Sequence, residues 1–213
     1  MLVLGVDLRS SARYPSAVAG LDETCQVALL KTFLEDQELM ELAQSCAPEL
    51  VAIGTPLGLP RGLKCLETVC QCCNARGPRK TGREAELELA RLGISCFFTS
   101  KGSIIKNLVY RGIELKAKLQ QQGQIVVETF PHATKVMLFG DNVPPKNSTR
   151  SLAYWREQLP LLVKGLDKCL EQLDKNSCDA LLNAYTGLLH CQRRTEVLGN
   201  AAEGQVVVPR QEH

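Results

Sequence analysis

The stretch Leu2-Val3-Leu4-Gly5-Val6-Asp7-Leu8 decides how the rest of the chain is read. It is apolar up to a single carboxylate, the pattern of a buried strand that emerges into solvent at its end. Ser10 to Pro15 is turn-like. Ala17 to Leu21 and Gln26 to Leu30 are two further apolar runs, with Asp22 and Glu23 between them. Three strands in close succession predict an antiparallel meander.

Outward from the meander, Glu35 to Cys46 reads as a helix with Leu39, Leu42 and Ala43 on one face, ended by Pro48. Leu50 to Ile53 is a buried strand closed by Gly54-Thr55-Pro56, so strand, helix and strand predict a parallel crossover. Residues from about 60 to 124 read as a helical insertion, with helices at Arg83 to Leu92 and Ser103 to Gln121. Ile125 to Thr129 is again a strand, and Asp141 to Thr149 a loop. Ser151 to Leu173 and Cys178 to His190 are the closing helices, and Gln205 to Val208 a short terminal strand or extended arm. The expected fold is α/β, one domain over residues 1–213, with a mixed five-stranded sheet and helices on both faces. That order matches the RNase H-like arrangement, in which a three-strand meander feeds two parallel crossovers.

The 213 residues are 45% hydrophobic and 23% charged, ordinary for a soluble globular chain, and the net charge of +2 implies neither nucleic acid nor membrane by itself. No apolar run approaches a membrane span. Ten cysteines with no secretory leader ahead of them point to a reducing cytoplasm and mostly free thiols. There is no Walker phosphate loop, no Gly-x-Ser-x-Gly elbow and no dinucleotide fingerprint, which removes several common enzyme classes.

Three acids stand where chemistry is expected. Asp7 closes the first strand, and Glu128 closes the strand Ile125 to Thr129, which the proposed order makes parallel to the first. Both therefore emerge at one sheet edge, where open α/β sheets bind ligands, and two carboxylates there could share a hard divalent cation. Asp179 lies at the start of the last helix; with Asn176 as N-cap it would be the third helical residue and suit the helix dipole. Ala180, Ala184 and Gly187 give that helix a small-residue face that would let it lie close on the sheet and bring Asp179 to the strand ends. Each acid alone has a bland reading as well, a solvated strand end or a helix-terminal carboxylate.

The basic residues Lys80, Arg83, Lys101, Lys106, Arg111, Lys116 and Lys118 could hold phosphates, although Glu84, Glu86, Glu88 and Glu114 dilute them and a solvated face is the commoner use of such charges. The cluster Cys65-x4-Cys70-x-Cys72-Cys73 fits neither the paired spacing of zinc sites nor a ferredoxin run; incidental or redox-sensitive thiols are its preferred reading, with a thiolate metal site as the alternative.

Together the segments resemble the domain of unknown function 429 family, described as predicted nucleases of RNase H fold. The resemblance rests on Gly5-Val6-Asp7-Leu8, Val51 to Pro60, Gly82 to Glu86 with Leu92-Gly93-Ile94, Val127 to Pro131, Cys178 to Leu181 and Glu203 to Pro209, in family order across nearly the whole chain. It implies Mg2+- or Mn2+-assisted hydrolysis of phosphodiester bonds in DNA or RNA. By position, Asp7, Glu128 and Asp179 would be metal ligands and catalytic residues. Arg83, Lys101, Lys106 and Arg111 are the expected nucleic-acid contacts. The chain departs from the family where Ile53-Gly54-Thr55-Pro56 replaces Ile-Asp-Ala-Pro, so that Gly54 offers no ligand, and where Ala85 replaces a common cysteine. Two further readings stay open: a catalytically degenerate module that binds nucleic acid or protein, and a phosphoryl-transfer enzyme on a related scaffold.

Overall fold

The computed structural model describes residues 1–70, 72, 82–140, 143–145, 148–167 and 169–211. The opening apolar run forms β1 (Leu2–Asp7), buried along almost its whole length at the heart of the sheet. It pairs antiparallel with β2 (Ser16–Asp22), which pairs antiparallel with β3 (Val27–Phe33). On its other side β1 runs parallel to β4 (Leu50–Ile53), and β4 parallel to β5 (Val126–Thr129). The meander and two parallel crossovers expected from the sequence are therefore present, in the order β3-β2-β1-β4-β5.

The sheet has seven strands rather than five. A hairpin of β6 (Thr195–Asn200) and β7 (Gly204–Pro209) extends it, β7 lying parallel to β5. The terminal apolar run is thus a strand. Its hairpin partner escaped the sequence reading because Thr195 to Asn200 is a half-exposed edge strand with little apolar content.

One face of the sheet carries α1 (Asp36–Cys46) and α3 (Lys106–Gln121), whose Leu39, Ala43, Leu115 and Leu119 pack on Leu4, Val6, Val51 and Ile53. In α1 the Glu35 N–H donates to Glu38 Oε1 at 2.9 Å, which fixes the helix start. α2 (Glu84–Arg91) lays Ala85 and Leu89 against Leu198 and Val206. The other face carries α4 (Pro131–Phe139), α5 (Ser151–Leu162) and α6 (Lys175–Cys191). The helix expected from Ser151 to Leu173 stops at Leu162, where Val163 turns extended; Pro160 lies inside it and gives up one helical N–H. α4, begun by Pro131 at its first position, was not foreseen.

α6 presses on β1 more closely than ordinary side chains allow. A Cβ built on Gly5 would lie 2.0 Å from the Ala184 nitrogen and 2.3 Å from the Ala180 carbonyl oxygen. One on Gly187 would meet Val3 Cγ1 at 2.8 Å and Ala52 Cβ at 3.0 Å. The small-residue face of Ala180, Ala184 and Gly187 thus seats the helix as expected, with glycine needed on both surfaces. Contacts of Gly187 with Val3 and of Ala180 with Gly5 make α6 antiparallel to β1, so the start of α6 overhangs the end of β1.

Candidate functional site

The register of the central strands decides which acids can meet. Val6 pairs with Ile53 and Ile53 with Glu128, so Val6, Ile53 and Glu128 stand level across β1, β4 and β5. In a parallel sheet, level residues point to one face and the next residue on each strand points to the other. Val6 and Ile53 belong to the cluster under α1 and α3, and Glu128 points to that side. Asp7, one residue on, points to the α6 side together with Gly54 and Thr129. Asp7 and Glu128 therefore share an edge of the sheet, as the parallel order requires, but occupy opposite faces.

Glu128 is 5% exposed and committed to a guanidinium. Arg83, at the N-cap of α2, reaches it with both terminal nitrogens, Nη1 to Oε2 at 2.7 Å and Nη2 to Oε1 at 2.6 Å. The Leu57 N–H also donates to Oε2 at 2.7 Å. The Nε of Arg83 donates to Glu86 Oε1 at 2.9 Å, and Glu86 accepts the Thr99 N–H at 2.8 Å. Facing two carboxylates, the Arg83 guanidinium is held even further in its charged form, against the desolvation that opposes it. A fork geometry of this kind satisfies both carboxylate oxygens at once. Arg83 is 1% exposed, so the structure places it inside the fold and not on a surface that a nucleic acid could touch.

Asp179 and Asp7, both buried, lie on the opposite side. The N-cap of α6 is Asp174, whose Oδ1 accepts the Ser177 N–H at 2.7 Å, and not Asn176. Asp179 consequently sits in the second turn, above the end of β1, on the face to which Asp7 points. Its Oδ1 is paired with Lys135 Nζ from α4. Lys135 is itself buried, with its ammonium 4.9 Å from the centre of the Trp155 ring.

Between these acids the rim holds neutral groups. Asn183, one turn after Asp179, donates from Nδ2 to the Val6 carbonyl at 2.8 Å and accepts the Thr129 hydroxyl proton at 2.9 Å. Its side chain fills the place a residue-54 side chain would take: a Cβ on Gly54 would meet Asn183 Nδ2 at 2.3 Å. An amide bonded at both its nitrogen and its oxygen thus fills the space beside Gly54.

These residues do not fit a pair of hard cations. Such ions need several carboxylate oxygens converging within a few Å. Glu128 is on the wrong face and neutralised by Arg83, Asp179 already holds an ammonium, and Gly54 and Thr129 flank Asp7 without charge. Among the described residues, Cys65, Cys70 and Cys72 form the one group of three metal-ligand side chains whose donor atoms lie within 4.8 Å of one another.

Of the other expected nucleic-acid contacts, Arg111 and Lys106 are paired with acids. Arg111 donates to Asp36 Oδ1 at 2.9 and 2.6 Å and to the Arg9 carbonyl at 2.7 Å, tying α3 to the β1–β2 turn and to the start of α1. Lys106 is paired with Glu67 at 2.6 Å. Lys101 is half-buried in the loop before α3. Lys80 lies outside the described residues. Lys135, Asn183 and the Arg83–Glu86 pair were not among the expected site features. A polar residue within Ala180-Leu181-Leu182-Asn183-Ala184 was the available signal for Asn183.

No family model matches the chain, and no curated protein matches it. Solved structures do. The Thermus thermophilus RuvC structure is similar at 11% identity and a TM-score of 0.49, over 91% of this chain and 97% of that one. T. thermophilus RuvC in complex with a Holliday junction substrate is similar at 10% identity and the same TM-score of 0.49, over 96% of this chain and 99% of that one. Among the described residues, no helix is long and apolar enough to cross a membrane.

Proposed function

We propose that this chain is a catalytically degenerate RNase H-like module, one that binds a polymer partner without hydrolysing it. The observation that carries the reading is the separation of Asp7 and Glu128 onto opposite faces of the sheet, with Arg83 on Glu128 and Lys135 on Asp179. A resident cation beside two of the three acids does the charge balancing that a metal would otherwise do.

A metal titration tests it. Mg2+ or Mn2+ leaves the melting temperature of the wild type unmoved, and single- and double-stranded DNA and RNA stay uncut. Divalent-dependent cleavage that Asp7→Asn abolishes would overturn the reading. The partner is nucleic acid or protein, and fluorescence anisotropy with labelled DNA and RNA in the presence of a chelator separates the two.

A second reading keeps the hydrolytic chemistry with Mg2+ or Mn2+ on Asp7 and Asp179. It is favoured by one observation, that these two acids occupy the same face and the same edge. It requires Lys135 to leave Asp179, and the same cleavage assay decides it.

A further inference from the structure

Cys65, Cys70 and Cys72 lie in the connection between β4 and α2. Their sulfurs all fall within 4.8 Å of one another, and Cys65 Sγ is 3.4 Å from Cys72 Sγ. Cys70 and Cys72 are joined as a disulfide. Thiolates around a tetrahedral zinc, with Zn–S bonds of about 2.3 Å, stand about 3.8 Å apart. The cluster is already close to that spacing, and opening one S–S bond supplies the remaining room.

The backbone that presents Cys65 is fixed. Leu66 is fully buried, its N–H donates to the Tyr110 hydroxyl at 2.6 Å, and its carbonyl accepts the Gly102 N–H at 2.8 Å. Next to it, Glu67 is paired with Lys106 at 2.6 Å, which ties the segment to the start of α3. The three sulfurs are half-buried or exposed, so an ion can reach them.

We propose that the reduced cluster is a soft-metal site that takes one Zn2+ on Cys65, Cys70 and Cys72, and that the Cys70–Cys72 disulfide is its oxidised, metal-free form. A dithiol reductant gives two electrons and two protons to the disulfide and becomes a disulfide itself, leaving two thiols. Zn2+ then displaces the protons of the three thiols into solvent, and water or a further donor completes the tetrahedron. Cys73, next in sequence, lies outside the described residues. The proposal is independent of the reading of the acids.

The test uses the full chain, reduced with a dithiol and desalted without oxygen. Titration with Co2+ gives an intense thiolate-to-cobalt charge-transfer absorption that saturates at one ion per chain and disappears on adding Zn2+. Cys65→Ser and Cys72→Ser each weaken binding more than about tenfold, Cys46→Ser does not, and the oxidised chain binds no ion. A second measurement needs no variant. Zn2+ protects Cys65, Cys70 and Cys72 of the reduced wild type from iodoacetamide while Cys46 reacts at an unchanged rate. No charge-transfer absorption in the reduced chain, undiminished binding in both serine variants, or no protection by Zn2+ would each overturn the proposal.

Discussion

Asn183 stands over Gly54, its amide nitrogen 2.3 Å from where a Cβ on residue 54 would be, and it bonds the Val6 carbonyl at 2.8 Å. The two positions are complementary: one has no side chain because the other's fills the space. Gly54→Ala therefore forces Asn183 from its hydrogen bonds and costs about 1–3 kcal/mol. Gly54→Asp costs more, because it also adds a buried acid. Asn183→Ala is expected to cost less in the Gly54→Ala background than in the wild type. Urea denaturation of the four proteins measures this coupling, and equal costs in both backgrounds would show that the two sites do not interact.

The Arg83–Glu128 pair is a structural bond of the interior. Arg83→Met leaves Glu128 and Glu86 buried without their common cation. Removing one partner of a buried pair costs about 3–5 kcal/mol. Glu128→Gln is expected to cost less, since Arg83 keeps Glu86 and the amide oxygen can still accept a hydrogen bond. Reversal of that order in denaturant unfolding would place the main role of Arg83 elsewhere.

His190 gives the fold a pH dependence of known sign. Burial lowers its pKa below the ordinary value of 6.5. Its Nδ1 lies 2.9 Å from Thr195 Oγ1. The folded state binds the proton less readily than the unfolded state, so stability falls as pH drops from about 6.5 toward the folded-state value. The urea midpoint of the wild type should decline between about pH 7 and 5, and His190→Gln should flatten that decline. An unchanged slope in the variant would assign the effect to other groups.

The outline of the fold was legible because it depends on periodicity and punctuation. Leu2 to Asp7, Leu50 to Ile53 and Val126 to Thr129 are buried strands, and the glycine and alanines that seat α6 on β1 were visible as a small-residue face. The site was less legible because it depends on register. Asp7 and Glu128 each close an apolar run, and nothing local says whether they are level or one residue out of step. A shift of one residue along the strand exchanges the faces, and here it sets Thr129, not Glu128, beside the Asp7 level. Nor does sequence alone show that Arg83 and Lys135, far from the acids in the chain, are their partners. The net charge of +2 hides cations that are spent inside the fold.

Lys135 tests whether an ammonium has taken a cation's place. It is buried, paired with Asp179 and packed on Trp155. Lys135→Met keeps much of the packing and deprives Asp179 of its ammonium, at a cost of about 3–5 kcal/mol. With the ammonium gone, Asp179 and Asp7 are two acids on one face, and a divalent cation has a net attraction to them that the wild type lacks. Mg2+ is accordingly expected to raise the melting temperature of Lys135→Met and not that of the wild type. Asp179→Asn added to Lys135→Met removes the charge that Lys135 had paired, recovers part of the lost stability and abolishes the response to Mg2+. Thermal unfolding of the three proteins with and without Mg2+ reads all of these effects. If Lys135→Met is as stable as the wild type, or the double variant is no better than the single one, the ion pair is not what holds α4 to α6.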